Sequence, residues 1–259
     1  MFTGRTSMAS VAQPVSRRER LRLATIDEIK QTARDQLDEH GAAGVSLRAV
    51  ARAMGLTPSA LYRYFTSRDE LIAALAADGF ASLADTLEEA FDLAPRDNHA
   101  RRWLEVTRAY RRWSHEHVTE YMLIFGTLGL DYTPPASQPC DGTERSVAVL
   151  FRCMAEAIDV GLIDPSRFAA ELTPALRAEL EEWRADTRNT IPPEGLAACL
   201  IVWTQLHGFL SLELFGHLPP VIRDVGALFD QQMLDVLLRC GYQGPVDFVP
   251  GRQEHGRPE

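Results

Sequence analysis

From Ser46 to Ile72 the chain reads SLRAVARAMGLTPSALYRYFTSRDELI, and the punctuation of this run leaves its backbone few alternatives. Ser46 suits the N-cap of a helix whose apolar side is Leu47, Val50 and Ala51, and Gly55 stands where the chain must turn with positive φ. Thr57 then caps a second helix, with Pro58 at its first position, where a missing N–H costs nothing. Leu61 and Phe65, four apart, give that helix one buried stripe, while Ser59, Tyr62, Arg63 and Tyr64 occupy its other faces. Ser67 and Glu70 stand at capping-box spacing and open a third helix. Arg68 falls in its first turn, beside backbone N–H groups that attract phosphate.

Two short helices joined by a tight turn, the second showing small, hydroxyl and basic side chains, are the sequence form of a helix-turn-helix. The competing reading is a helical hairpin of an ordinary α protein, with Tyr62 and Tyr64 as half-buried aromatics. Caps, turn and polar face agree with one another, which favours the DNA-reading unit.

Residues 18–80 resemble the DNA-binding domain of the TetR family of bacterial transcription regulators. The resemblance rests on the apolar helix LATIDEIKQTARDQLDEHG, on SLRAVARAMGLTPSALYRYF and on the trailing TSRDELI. It implies that the helix starting near Thr57 enters the major groove. Thr57, Ser59 and Tyr62 would then hold phosphates, Arg63 would reach a guanine edge and Arg68 would clamp the backbone. Ser46, Arg48, Pro58, Ala60 and Tyr64 complete the expected DNA-binding set. Arg68 stands where lysine is more usual in the family. Pro58 and Ala60 stand where many members place lysine, glycine or polar residues, and neither carries a base-reading group.

At 259 residues the chain is long for one compact domain, so two lobes are expected. The net charge of −9 looks unsuited to nucleic acid until it is divided. Residues 1–72 hold eleven basic against eight acidic side chains, a net +3, which leaves −12 for the remainder. That asymmetry favours DNA at one end of the chain and repels it from the other. No apolar run reaches the length needed to span a bilayer, and the start lacks the apolar stretch of a secretion signal, so no membrane partner and a cytoplasmic location are expected. Cys140, Cys153, Cys199 and Cys240 are widely spaced, with no CxxC pair and no histidine at ligand spacing, so buried free thiols are expected and neither a metal nor a cofactor is implied.

Four segments are expected: an N-terminal arm over 1–17, the helix-turn-helix domain over 18–80, a helical effector-binding and dimerisation domain over 81–243, and a loose tail over 244–259. Arg17, Arg18, Arg20 and Arg22 read as an arm along the DNA backbone or, equally, as a solvated helix start. Ile26, Ile29, Ala33 and Leu37 then follow helical spacing as far as His40-Gly41. A helix from Ser67 to about Phe91 links the basic lobe to the rest. Further helices are predicted near 98–116, 118–129, 142–160, 167–187, 193–215 and 223–240, with a loop over 131–142 and no strand, which makes the chain all-α.

Trp103, Val106, Tyr110 and Trp113 share one face of the 98–116 helix; Tyr121 and Phe125 follow, and Trp183, Trp203 and His207 come from later helices. Apolar area with sparse polar tips is what a small-molecule pocket needs, although core packing uses the same residues. Regulators of the resembled family commonly bind an effector inside this second lobe, which implies a small, partly apolar ligand among Trp103, Tyr110, Trp113, Tyr121, Phe125, Trp183, Trp203 and His207. The segment WTQLHGFLSLELFGHL also looks like the Trp-His-Gly segment of one subgroup of TetR-type C-terminal domains. In it His207 would either donate to an effector or satisfy a core hydrogen bond.

Leu196, Leu200, Trp203, His207, Leu210 and Leu214 lie at alternating spacings of four and three, as do Val225, Phe229, Gln232 and Val236, and of these stripes on the last two helices Leu196, Leu200, Leu210, Leu214, Val225, Phe229, Gln232 and Val236 are the candidate dimer contacts. They either seal the lobe or pair with a second copy, and a two-fold dimer would span two half-sites. Catalysis finds no support: His115 and His117 are two apart, on opposite sides of a helix, and no GxSxG, HExxH or Gly-rich phosphate loop occurs. The expectation is a homodimeric repressor released from operator DNA by a small effector. Two alternatives stand beside it: a regulator of the same form gated by a partner protein or by nothing, and a helical ligand-binding protein or enzyme carrying a relic helix-turn-helix.

Overall fold

Apolar residues at helical spacing bury one side of the first helix, α1 (Arg17–Gly44), through Ile29, Ala33 and Leu37. Gly41, at φ 65° and ψ −179°, breaks it where the sequence predicted its end, because a Cβ would strain that conformation. In the computed structural model, residues 16–126, 141–168, 172–187 and 190–246 are described. Ser16 Oγ accepts from the Glu19 N–H at 3.2 Å, so the arginines from Arg17 to Arg22 belong to a helix start, and the rest of the expected arm lies outside the described residues.

Two units divide the chain between Leu75 and Ala76, inside a continuous helix. The first holds α1, α2 (Leu47–Ala53), α3 (Pro58–Leu61) and the opening turns of α4 (Arg68–Leu93). Its interior is formed by Ile29, Ala33, Leu37, Val45, Val50, Leu61, Phe65 and Leu71.

The second unit contains the rest of α4, then α5 (His99–Glu116), α6 (Val118–Phe125), α7 (Asp141–Asp159), α8 (Pro165–Phe168), α9 (Pro174–Thr187), α10 (Pro193–Leu214) and α11 (Val225–Arg239). Every regular element among the described residues is a helix; the sole extended pairing there is an isolated bridge between Ile163 and Tyr242. Trp103, Tyr110 and Trp113 of α5 stand in the middle of one apolar core with Leu150 and Met154 of α7, Leu206 of α10 and Phe229 of α11. Although α10 is long and apolar enough to cross a bilayer by length and composition, half of its most apolar window is buried inside the unit, as a core helix requires.

Several predicted boundaries are corrected. The helix expected over 167–187 is two helices, because Pro174 lacks an N–H and its ring cannot follow a preceding helical turn. Asp141 and Gly142 belong to α7 rather than to a loop; 127–140 lie outside the described residues. Just before the expected tail the Gln243 N–H donates to the Leu162 carbonyl at 2.8 Å, and Tyr242 Oη donates to the Pro245 carbonyl at 3.3 Å; 247–259 lie outside the described residues. At Gly142 a Cβ would stand 2.6 Å from the Ala81 nitrogen and 2.7 Å from the Phe80 carbonyl carbon, so α7 crosses α4 in backbone contact there.

Candidate nucleic-acid interface and inner recess

Both short helices of the first unit begin as their caps dictate. Ser46 Oγ accepts from the Ala49 N–H at 3.1 Å and Thr57 Oγ1 from the Ala60 N–H at 3.3 Å, each satisfying an otherwise orphaned donor. Gly55, at φ 67°, makes the turn between them. Leu61 and Phe65 are buried, and opposite them Thr57, Pro58, Ser59, Tyr62 and Arg63 stand in solvent, Tyr62 with 45 % of its surface exposed. Ala60 and Tyr64 are half-buried, and Ser46 and Arg48 are exposed at the start of α2. Thr57 and Ser59 hydroxyls lie 3.1 Å apart, a polar edge at the mouth of α3.

Two residues behave otherwise than the spacing suggests. Arg68 Nε donates to the Val45 carbonyl at 3.1 Å, so this side chain ties the start of α4 to the residue preceding the Ser46 cap. Ser67 Oγ accepts from the Glu70 N–H at 3.1 Å, but the Glu70 carboxylate turns to the Thr66 N–H and hydroxyl, at 2.6 and 2.7 Å. Those bonds hold its pKa below the usual carboxylate value.

Within the second unit a recess of about 50 Å³ opens between α4, α5, α6, α7 and α10. Its floor is Leu83, Leu87, Tyr110, Ser146 and Leu150, all buried; its rim is Phe80, Phe125, Val147 and Trp203, all half-exposed. Of the predicted ligand residues only Tyr110, Phe125 and Trp203 line it. Trp103 and Trp113 are core residues instead, their indole N–H groups donating to the Met233 carbonyl at 2.8 Å and to Ser82 Oγ at 3.0 Å. Trp183 meets Phe151 edge to face, away from the recess. Phe80, Leu83, Leu87, Ser146, Val147 and Leu150 were missed, although Phe80, Leu83 and Leu87 share a helical face.

Behind the rim stands an aromatic stack. His207 lies flat against Trp203, with centroids 5.2 Å apart and planes 7° from parallel, and meets Phe125 edge to face. Tyr121 Oη lies 2.9 Å from Ser211 Oγ and 3.4 Å from His207 Nδ1. Burial lowers the His207 pKa below the usual imidazole value, which keeps the ring neutral at pH 7. It is a packed second layer rather than a recess-lining group. The Tyr110 hydroxyl, by contrast, is fully buried and has no hydrogen-bond partner, and burial raises its pKa well above that of a free phenol. A wider trough of about 420 Å³ beside Phe91 is open and lined by charges of both signs, with Arg102 paired to Glu156.

Comparison with known proteins joins the two units. Residues 29–75 match the family described as bacterial regulatory proteins, tetR family, and residues 103–236 match the tetracyclin repressor-like C-terminal domain. The HTH-type transcriptional regulator Rv1816 of Mycobacterium tuberculosis is 32% identical over 207 residues, covering 79% of this chain and 87% of that protein. The chain belongs to the TetR family of transcriptional regulators. Its TetR fold is shared with the crystal structure of the regulatory protein SCO4313, at 34% identity and a TM-score of 0.63 over 86% of this chain and 99% of that one. A SmeT complex with triclosan aligns at 19% identity and a TM-score of 0.54, over 91% of this TetR chain and all of SmeT, a likeness of fold.

The last two helices correct the predicted dimer contacts. Leu196, Leu210, Phe229 and Val236 are buried in the unit's own core and cannot also pair with a second copy. Leu200, Leu214, Val225 and Gln232 keep partial exposure. The face of α10 that is open carries Ile201, Gln205, Gly208, Leu212 and Phe215, at spacings of four and three, with Ile201, Leu212 and Phe215 exposed by 45, 48 and 43 %. Gly208 has no atom within 4 Å of where a Cβ would sit.

Proposed function

We propose that this TetR-family regulator acts as a homodimeric repressor in the cytoplasm, releasing its operator when a small molecule occupies the recess of the second unit. The observation that carries DNA reading is the capped pair α2 and α3: Leu61 and Phe65 point inward and leave Ser59, Tyr62 and Arg63 on one exposed face. Thr57, Ser59 and Tyr62 hold phosphates, and Arg63 is the one long side chain on α3 or its following turn suited to a guanine edge. Ser46 and Arg48 lie at the backbone, and Pro58, Ala60 and Tyr64 shape the contact surface. Because Pro58 and Ala60 offer nothing to bases, spacing between half-sites and DNA shape carry much of the specificity.

Release follows from what lines the recess. Phe80, Leu83 and Leu87 belong to α4, the helix that continues into the DNA-reading unit. A guest that prefers one position of α4 shifts the population toward it, and only such a differential preference can lower DNA affinity. The exposed α10 stripe is the surface offered to the second copy, and SmeT with triclosan shows a protein of the same fold holding a small aromatic compound. Promoter DNA retarded in a gel by the protein tests the DNA half of the reading. Arg63→Ala should relax base preference by about 1–3 kcal/mol while non-specific binding persists; unchanged selectivity would remove Arg63 from the groove.

A further inference from the structure

The recess has a composition that selects its guest. Among the described residues nine line it, of which six are purely hydrocarbon, Phe80, Leu83, Leu87, Phe125, Val147 and Leu150, and none is charged. The three with polar atoms are Ser146, which has its own partner, Trp203, and Tyr110, whose fully buried hydroxyl has none. An isolated charge in such a site has no compensation, whereas a neutral apolar body recovers the area of the walls. Leaving a buried hydroxyl unbonded is unfavourable, so a guest that accepts one hydrogen bond from Tyr110 Oη removes a cost the empty protein carries. With its pKa raised, Tyr110 keeps its proton and remains a donor throughout the ordinary pH range.

We infer that the recess takes small, uncharged, ring-bearing molecules with one hydrogen-bond acceptor, held by the Tyr110 hydroxyl, and excludes carboxylates. This rests on the effector reading above and supplies the chemistry of the guest. An apolar cavity that takes benzene measures roughly 150 Å³, so the recess of about 50 Å³ admits one ring with a short substituent only as Trp203 swings away from the rim.

Three probes of similar size separate the elements of the claim: acetophenone, which is neutral with an acceptor; ethylbenzene, neutral without one; and benzoate, charged. Calorimetry on the DNA-free full-length protein and on Tyr110→Phe reads binding, and competition reads whether benzoate displaces acetophenone. Acetophenone binds the parent protein; Tyr110→Phe weakens it about fivefold and does not weaken ethylbenzene; benzoate displaces nothing. The inference is overturned if acetophenone does not bind, if the substitution weakens both neutral probes equally or neither, or if benzoate competes. Since no DNA is present, failure here leaves promoter binding by the first unit standing, and failure of promoter binding leaves these titrations to be read on their own.

Discussion

The Nε of Arg68 donates to the carbonyl of Val45, 23 residues earlier in the chain, and so closes the first unit on itself at the point where α4 begins. A side chain expected to clamp phosphate thus also fixes the residue ahead of the Ser46 cap. Arg68→Ala should therefore lower the stability of the DNA-reading unit by about 1 kcal/mol in urea unfolding and weaken all DNA sequences alike; unchanged stability would leave the Val45 bond without energetic weight. The caps at Ser46 and Thr57 were legible in the sequence because their partners lie three residues on. The Arg68–Val45 bond was not, since nothing local pairs those positions, and Glu70 turned to Thr66 because the approach of the chain to the helix, not the spacing, decides which N–H its carboxylate meets.

Helices α5, α10 and α11 are joined by charge as well as by apolar area. Arg111 reaches the Glu213 carboxylate at 2.6 Å and His115, one turn on, at 3.2 Å, while Arg108 donates to Asp230 of α11 at 2.7 Å. Burial pushes the Glu213 carboxyl upward, yet the bonds and charge of Arg111 and His115 outweigh it and leave the pKa below the ordinary 4.5. A depressed carboxyl pKa adds stability above the unfolded value and loses it as pH falls through the folded one. Glu213→Gln should then cost about 1 kcal/mol at pH 7, a gap that narrows at pH below 4.5 when unfolding is followed by circular dichroism. A gap that widened in acid would reverse the assignment. The existence of these helices followed from periodicity, but their working faces did not. The core side of α10 is Cys199, Val202, Leu206 and Phe209, about one residue and 100° from the stripe the spacing suggested, because apolar residues run most of the way round the helix.

For the molecule as a whole, charge and surface divide the tasks between the two units. The +3 of residues 1–72 against −12 for the rest orients the first unit toward DNA and keeps the second away from it. The second unit also has a bare helix face on α10, and in the homodimer proposed above the same face of a second copy covers it. Leu212→Asp puts a charge on that face without touching the core, and should shift the protein toward monomer in sedimentation while leaving its helical content intact. Leu196→Asp, placed in the core, should unfold the unit instead. A dimer unaffected by Leu212→Asp would move the interface off α10. The two-lobed plan was legible from length, helix-turn-helix and charge split; the recess was only partly so, because three of its lining residues come from α4, whose residues looked like a connector.

Gly142 lies outside that recess yet governs its width. It is where α7, carrying Ser146, Val147 and Leu150, touches the backbone of α4, carrying Phe80, Leu83 and Leu87. Even one methyl group there would drive the two walls apart, since the backbone atoms it would meet cannot fold away. Relatives that differ at this position can therefore diverge in the size of molecule they sense with every lining residue kept, so that a change of signal during descent needs no change in the residues that touch it.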